Sequence, residues 1–226
     1  MTARRRPAWI SSYATAPHSE LAGRIALHGK LLFNRDPSAR VTWEVPLTWR
    51  AREPQATNVA VNERCLVLLR HAKSAYPAGV PDHERPLAPR GGREAALAGD
   101  WLRANLPTVD AVLCSTAVRT RDTLAHTGIE APVRYLDRLY EATLGAVFDE
   151  INTVDGGVRT LLVIGHEPTM SQLALGMAAI HGTDPRAEAR VATKFPTSGI
   201  AVLHVGRTWR DLGLGGAALV AFHVPR

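Results

Sequence analysis

Aromatic residues are scarce in this chain, at 6% of its 226 residues, although the chain is basic, with a net charge of +6. Nucleic-acid-binding surfaces combine basic patches with aromatic side chains that stack on bases. Residues 1–60 hold nine Lys and Arg against four Asp and Glu, so +5 of the excess lies there and +1 in the remainder. We therefore expect no nucleic-acid partner.

Cysteine is also rare, and the two cysteines both lie in apolar runs that are typical of strands. Cys65 and Cys114 are therefore expected to be buried free thiols rather than a disulfide or a metal site. Histidines and carboxylates do not recur at a metal-binding spacing such as H-E-x-x-H. These observations predict that the protein holds no metal.

Long hydrophobic runs are missing too. No run of eighteen apolar residues occurs, so we expect no membrane association. The Arg-rich start, "MTARRRPAWISS", lacks the apolar core and the small-residue cleavage site of a secretory signal. The sequence thus predicts a cytoplasmic protein.

The pattern of the chain changes near Arg64. Residues 1–60 show no sustained periodicity and are interpreted as an irregular basic extension, while residues 61–226 are predicted to form the domain. A start codon assigned too far upstream is the alternative explanation for the first segment. On either interpretation, residues 1–60 are expected to be dispensable for catalysis.

Segments typical of strands and of helices alternate through residues 61–226. Several strand segments are near-continuous runs of Val, Leu and Ile, as in parallel strands that are buried on both faces. The pattern predicts an α/β fold, a three-layer sandwich with a mostly parallel central sheet flanked by helices. Predicted strands are 65–69, 109–114, 133–136, 160–165, 199–205 and 217–224, and predicted helices are 93–106, 117–128, 144–154 and 169–182.

Polar residues follow three of the predicted strands. Arg70 and His71 end the first strand, Ser115 follows the second with Arg119 one helical turn later, and His166 follows the fourth. Ligands of such sheets bind at the carboxyl ends of the strands. Two histidines and two arginines are therefore predicted to converge at one edge.

This combination suits phosphoryl transfer. A neutral imidazole can attack phosphorus, and guanidinium groups bind phosphate oxygens in pairs, without a metal. The other histidines of the domain have simpler interpretations. His204 and His223 lie within C-terminal strands, whereas His126 and His181 fall in the last turns of predicted helices, where a cation suits the helix dipole. Arg121 is expected to be a solvent-exposed helix residue.

Six short motifs occur in order along residues 64–226: "LLRHAKS", "HERPLAPRG", "CSTAVRTRDT", "LYEA", "VIGHEP" and "FPTSGIAVL". Together they resemble the histidine phosphatase superfamily, which is phosphoglycerate mutase-like, and within it the small SixA-type phosphohistidine phosphatases. The resemblance implies a phosphatase that needs no cofactor and works through a phosphohistidine intermediate. Residues 1–63 have no counterpart in it.

Carried over by position, the resemblance makes His71 the phosphorylated nucleophile. It makes Arg70 and Arg119 phosphate ligands, and it gives His166 the role of stabilising the transferring group. All four lie in the motifs quoted above. The same four residues were reached from the strand ends alone.

The remaining site residues depend on the resemblance alone. Ser74 and Arg85 align with residues near the phosphate pocket, and Glu141 aligns with the proton donor of mutase-like members. In the SixA-type branch the donor is less firmly assigned, so Asp82 and His83 remain alternatives. A solvent-exposed Glu141 without a catalytic role is also open.

The chain departs from the family pattern at two positions. Ala88 stands where relatives often have a Thr that would cap the next helix, so the start of that helix is expected to be weakened or displaced. Glu167 stands where relatives often have Asn, which adds a carboxylate near the phosphate pocket. The sequence does not set the direction of its effect on specificity.

Three functions are compatible with these residues. The first is a metal-independent phosphatase acting on protein phosphohistidine; the short segment after "LYEA" leaves no room for a large lid, and an open site favours protein substrates. The second is a broad-specificity phosphatase of small phosphorylated molecules. The third, disfavoured because both histidines and both arginines are present, is a non-catalytic phosphate-binding scaffold.

Overall fold

The computed structural model describes residues 64–178 and 181–226. The predicted extension over residues 1–60 lies outside the described residues, as do residues 61–63 at the start of the predicted domain.

One six-stranded sheet forms the centre of the described domain, with the strand order β3-β2-β4-β1-β5-β6. The strands β1 to β4 are mutually parallel, whereas β5 runs antiparallel to β1 and β6 antiparallel to β5. The predicted α/β class with a mostly parallel sheet is confirmed. The strands are β1 Arg64–Arg70, β2 Ala111–Ser115, β3 Val133–Leu136, β4 Thr160–Gly165, β5 Ile200–Val205 and β6 Ala218–His223.

Five helices cover the two faces of the sheet. Because side chains alternate along a strand, Leu66 and Leu68 of β1 belong to one apolar cluster, whereas Val67 and Leu69 belong to another. The first cluster includes residues of α3, α4 and α5, and the second includes residues of α1 and α2. The fold therefore has the predicted three layers. The helices are α1 Pro89–Asn105, α2 Val118–Thr127, α3 Leu144–Asn152, α4 Thr169–Met177 and α5 Pro185–Thr193.

The helices α1 and α2 pack closely against each other because a glycine of α1 lies at their contact. A Cβ atom added to Gly99 would lie 1.9 Å from the carbonyl oxygen of Thr127, so no larger residue fits there. Ala88 occupies the N-cap position of α1 and provides no side-chain hydrogen bond, while the weakening or displacement expected from it stays a prediction. Pro89 takes the first helical position, where its missing N–H costs nothing.

The region after β4 differs from the prediction. The predicted helix 169–182 was too long, because α4 ends at Met177 and Ala178 is extended and pairs with Ala217. His181 therefore lies beyond α4 rather than in its last turn. The sequence analysis also missed α5, although the Asp-Pro step at its start is a helix-start signal. The side chain of Asp184 accepts the N–H of Arg186 there.

The remaining predictions for cysteines and histidines mostly hold. Cys65 and Cys114 are free and buried, and burial raises the pKa of these thiols to about 11 and about 12. His204 and His223 lie in β5 and β6. His126 is in the last turn of α2, where its Nδ1 donates to the carbonyl oxygen of Asp122 at 2.8 Å.

Candidate active site

The two predicted catalytic histidines meet at the carboxyl edge of the sheet. Since β4 lies between β1 and β2, His71 and His166 follow neighbouring strands. Their ring centroids are 5.2 Å apart, and each residue is 8% exposed. The topology thus brings together two side chains that are 95 positions apart in the sequence.

The ring of His71 is held in one tautomer. Its Nδ1 lies 2.8 Å from the carbonyl oxygen of Ala72, and because a carbonyl only accepts, Nδ1 carries the hydrogen. Nε2 is then left with a free electron pair. The peptide of Ala72 is fixed in turn, since its N–H donates to Oγ1 of Thr123, which donates to the carbonyl oxygen of Arg119.

His71 is also kept neutral. Burial, together with the positive charges of Arg119 and Arg70, lowers the pKa of His71 to about 4, although the hydrogen bond that His71 donates to the Ala72 carbonyl oxygen acts in the opposite direction. A neutral imidazole with a free Nε2 electron pair is the form that attacks an electrophile.

His166 forms its hydrogen bond through Nε2, whereas His71 forms its own through Nδ1. Its Nε2 lies 2.8 Å from Oγ of Ser115, which also accepts the N–H of Ala117 at 3.4 Å. Because the Ser115 hydroxyl keeps its own hydrogen while it accepts the N–H of Ala117, we assign it as the donor to His166 Nε2, and this assignment makes Nδ1 the N–H donor. That Nδ1 is buried and has no hydrogen-bond partner among the described residues. Burial lowers the pKa of His166 to about 3, and His71 and Arg119 act in the same direction.

Arg70 is tied to the loop before β5. Its Nη1 donates to the carbonyl oxygen of Phe195 at 2.6 Å, while its Nε is buried without a partner in the described part of the chain. In the same loop, the N–H of Ser198 lies 3.2 Å from the carbonyl oxygens of both Arg70 and His71. Ser198 adopts a left-handed backbone with φ of 61°, and its buried Oγ has no partner in the described ranges. The sequence analysis gave Ser198 no role, although it lies in one of the quoted motifs.

Arg119 is buried beside the histidines, but its guanidinium already has a partner. Nη1 donates to the carbonyl oxygen of Asp82 at 2.6 Å, and Nη2 donates to Oδ2 of the same residue at 3.0 Å. The hydroxyl of Tyr140 also donates to this Oδ2, at 2.8 Å. Sequence reasoning did not connect Asp82 with Arg119, and it did not identify Tyr140.

Ser74 and Arg85 contact each other in the segment between β1 and α1. One terminal nitrogen of Arg85 donates to Oγ of Ser74 and the other donates to Asp82. Its Nε donates to the carbonyl oxygen of Ala75 at 3.0 Å, and its guanidinium carbon lies 3.4 Å from the ring centroid of Tyr76. Arg85 is therefore linked to Arg119 through Asp82.

The three candidate proton donors have different surroundings. Hydrogen bonds from Tyr140 and Arg85, together with the charge of Arg119, hold the pKa of Asp82 at about 2 against its partial desolvation. Asp82 is therefore ionised at neutral pH. Both ring nitrogens of His83 are engaged, Nδ1 with Glu84 at 2.8 Å and Nε2 with Thr116 at 3.1 Å.

Glu141 lines an open cavity of about 560 Å³ beside the histidines. Its backbone is left-handed, with φ of 50°, a conformation that is uncommon for residues other than glycine. Arg119 and His166 form one wall of this cavity, and Tyr140 and Glu167 also line it.

Glu167, the departure from the family pattern, lies in this wall and helps to start α4. Its Oε2 accepts the N–H of Ser171 at 3.2 Å. The negative charge of Glu167 also raises the pKa of Arg70, although burial lowers that pKa more. The added carboxylate therefore acts on Arg70 as well as lining the cavity.

Within 64–178 and 181–226, no group of three or more His, Cys, Asp or Glu side chains could hold a metal ion. No helix in the same ranges has the length and apolar character needed to cross a membrane.

An α/β sheet that presents neutral imidazoles and arginines at its carboxyl edge has the groups that phosphoryl transfer requires. A model of the histidine phosphatase superfamily (branch 1) matches residues 66–180. An uncharacterized protein of Mycobacterium tuberculosis (strain H37Rv) is 66% identical over 158 residues, which cover 70% of this chain and 100% of that protein. The chain belongs to the histidine phosphatase superfamily and is a phosphatase.

Solved structures place it near one branch of the superfamily. A structure assigned provisionally as phosphohistidine phosphatase SixA of Nakamurella multipartitia shares 41% identity with a TM-score of 0.67, over 72% of this chain and 96% of that one. The protein histidine phosphatase SixA in complex with tungstate has a TM-score of 0.58 at 24% identity, over 71% and 97% of the two chains, and shows a shared fold.

Proposed function

We propose that the protein is a metal-independent phosphatase that removes phosphoryl groups from protein phosphohistidine through a phosphorylated His71. The observation that carries this proposal is the hydrogen bond from His71 Nδ1 to the carbonyl oxygen of Ala72, at 2.8 Å. It leaves the Nε2 electron pair free in a ring that burial keeps neutral.

The reaction has two steps. In the first, Nε2 of His71 forms a bond to phosphorus while the bond from phosphorus to the leaving group breaks, and the leaving group takes up a proton. In the second, a water molecule attacks the phosphorus, the bond to Nε2 breaks, and inorganic phosphate leaves. Each step passes through a transition state whose charge lies on the phosphoryl oxygens.

Three groups are proposed to hold those oxygens. Buried N–H groups of Arg70 and His166 lack partners among the described residues, and an anion with acceptor oxygens would satisfy them. Arg119 lies at the wall of the cavity and adds a second guanidinium. These donors are in place before the substrate binds, so stabilising the transferring group requires no reorganisation.

The proposed leaving group is an imidazole. A phosphohistidine that loses its phosphoryl group leaves as an imidazole, which carries positive charge when protonated. The cavity beside His166 is lined by the carboxylate of Glu167, whose negative charge favours a neutral or cationic group over an acidic one. Glu141 is the proposed proton donor, because its carboxyl group lines the same cavity, whereas Asp82 is ionised and His83 is engaged with Glu84 and Thr116. The 41% identity to a structure assigned to SixA supports the same substrate class.

A broad-specificity phosphatase of small molecules is the second candidate. A cavity of about 560 Å³ is large enough for the organic part of a small phosphate ester. The scaffold alternative is disfavoured, since both histidines and both arginines are present.

The two candidates can be separated by a substrate comparison. Turnover of a phosphorylated histidine phosphotransfer domain would be measured beside that of sugar phosphates, with and without excess chelator. The proposal expects faster turnover of the phosphorylated domain and no effect of the chelator. Preference for sugar phosphates would favour the second candidate, and loss of activity in chelator would overturn the metal-independent mechanism.

A further inference from the structure

Asp82 joins three separate parts of the active site. It begins a single 3₁₀ turn, Asp82–Glu84, in the segment between β1 and α1. Its side chain is 52% exposed, yet its carbonyl oxygen and both of its carboxylate oxygens accept hydrogen bonds. The donors are Arg85, Arg119 and Tyr140. Arg119 follows β2 and Tyr140 follows β3, so one aspartate links segments from three strands.

These contacts set the orientation of Arg119. A guanidinium has five N–H bonds, and Arg119 gives one from each terminal nitrogen to Asp82. The end of the guanidinium therefore faces Asp82, and the N–H of Nε takes no part in this pairing. Turning Arg119 away would break two hydrogen bonds to a single residue.

Tyr140 is held in the same way. Its hydroxyl donates to Oδ2 of Asp82 at 2.8 Å, and its ring stands edge-on to the ring of His166 with centroids 5.5 Å apart. The guanidinium carbon of Arg119 lies 5.6 Å from the Tyr140 ring centroid. Asp82 thus fixes two side chains that contact the second histidine or the cavity.

We propose that Asp82 is a positioning residue for phosphoryl transfer: it orients Arg119 and Tyr140 beside the two histidines and transfers no proton itself. The proposal rests on the proposed function, because orientation matters only if a phosphoryl group is transferred there. It also explains why an exposed carboxylate lies next to a guanidinium that should bind an anion.

The negative charge of Asp82 allows a role in positioning to be distinguished from a role in binding the anion. A carboxylate beside Arg119 and Arg85 offsets part of their attraction for phosphate. Removing that charge should therefore leave the affinity for an oxyanion equal or higher. Catalysis should fall nevertheless, because a misaligned donor stabilises the transition state less than the ground state. A residue that only stabilises the fold would not separate the two quantities in this way.

The test measures turnover and oxyanion affinity in the same variants of the full chain. In Asp82→Asn, kcat for a phosphorylated phosphotransfer domain is expected to fall by about tenfold or more. The dissociation constant for tungstate, measured by calorimetry, should be unchanged or lower. Asp100→Asn is the matched control, since Asp100 also pairs with an arginine three residues later, Arg103, on an exposed face of α1. This control should match the wild type.

A second variant tests the shared contact. Tyr140→Phe removes only the hydroxyl that donates to Asp82, so its effect on kcat should be smaller than that of Asp82→Asn. The double variant should be no worse than Asp82→Asn alone, because residues that act through one contact are not additive. Additive losses would show that Tyr140 acts independently of Asp82.

Each further outcome has a distinct meaning. An Asp82→Asn variant with wild-type kcat, or one whose loss of activity matches a loss of tungstate affinity, would overturn the positioning role and leave the proposed function standing. If the wild-type protein turns over neither phosphohistidine nor phosphate esters, the proposed function itself fails. A lower melting temperature with no change in kcat would show that Asp82 has only a structural role.

Discussion

The two halves of the sheet carry histidines in very different surroundings. On the parallel half, His71 and His166 lie just beyond strand ends, are buried, and have their ring nitrogens set by Ala72 and Ser115. On the antiparallel half, His204 is exposed within β5, and His223 stacks on Trp101 with centroids 4.6 Å apart. Position in the topology, rather than residue type, therefore separates the histidines that are proposed to react from the structural ones.

The largest expected effect is the loss of turnover when His71 is replaced and His204 is not. His71→Ala should abolish turnover, because no other group supplies the Nε2 that bonds to phosphorus, whereas His204→Ala should keep wild-type turnover. Steady-state kinetics with a phosphorylated phosphotransfer domain checks both variants. A His71→Ala variant that keeps about a tenth of wild-type turnover, a barrier change of only about 1.4 kcal/mol, would contradict the assignment.

A smaller effect is expected at the arginines of α2. Arg119→Lys keeps the charge but loses the planar guanidinium with its paired donors, so kcat/KM should fall by roughly 10- to 100-fold. Arg121→Lys is the control, because Arg121 lies over the exposed ring of Tyr135 at 5.6 Å, away from the histidines. Equal kinetics for the two variants would show that Arg119 does not contact phosphate.

Removal of the Ser115 hydroxyl, which contacts His166, is expected to reduce activity less than the change at Arg119. Ser115→Ala removes the donor to His166 Nε2, so the ring is free to exchange tautomers and kcat should drop by roughly tenfold. Nitrogen NMR of the imidazole should show a loss of the Nδ1-protonated form. Ser171→Ala, which removes an exposed hydroxyl bonded to the Pro168 carbonyl oxygen, serves as the control. An unchanged tautomer in Ser115→Ala would refute this role.

The pH dependence of kcat/KM is the activity prediction with the smallest expected effect, and it tests whether His71 and His166 are neutral. Burial lowers the pKa of His71 to about 4 and that of His166 to about 3, so both are neutral at pH 7. Because the attacking imidazole must be unprotonated, kcat/KM should hold down to about pH 5 and fall as the pH passes through about 4. A midpoint near the ordinary histidine value of about 6.5 would contradict the buried, neutral pair.

The free energy of unfolding should also depend on pH through His71 and His166. Both native pKa values lie below the unfolded value of about 6.5, so the unfolded chain binds more protons between that pH and about 4. The stabilisation by neutral histidines is therefore fully present above about pH 6.5 and is lost as the pH falls through this window. The melting temperature should drop less steeply there in His71→Ala.

The fold, and the position of His71 and His166 together at one edge of the sheet, were predictable because they depend on local patterns. Runs of Val, Leu and Ile marked the buried strands, and polar residues at their ends marked the edge where ligands bind. The end of α4 was missed, because the apolar pattern continues past Met177 while Ala178 pairs with Ala217 instead. Local periodicity does not show such a long-range contact.

The supporting residues of the site could not be predicted for a similar reason. Asp82 was considered only as a proton donor, because its contacts with Arg119 and Tyr140 join positions 37 and 58 residues away. Ser198 was overlooked, because its importance lies in a buried hydroxyl and a left-handed backbone that only the folded chain shows. Hydrogen bonds between distant segments have no signature in a single sequence.

The most direct test of the account is to trap the phosphoenzyme and locate its phosphate. Protein mixed with a labelled phosphorylated phosphotransfer domain would be quenched rapidly, digested under alkaline conditions and mapped by mass spectrometry. The account predicts an acid-labile phosphate on the peptide that contains His71, formed and lost at the rate of turnover, and absent from His71→Ala. Turnover without any phosphoenzyme, or a phosphate on another residue, would contradict it.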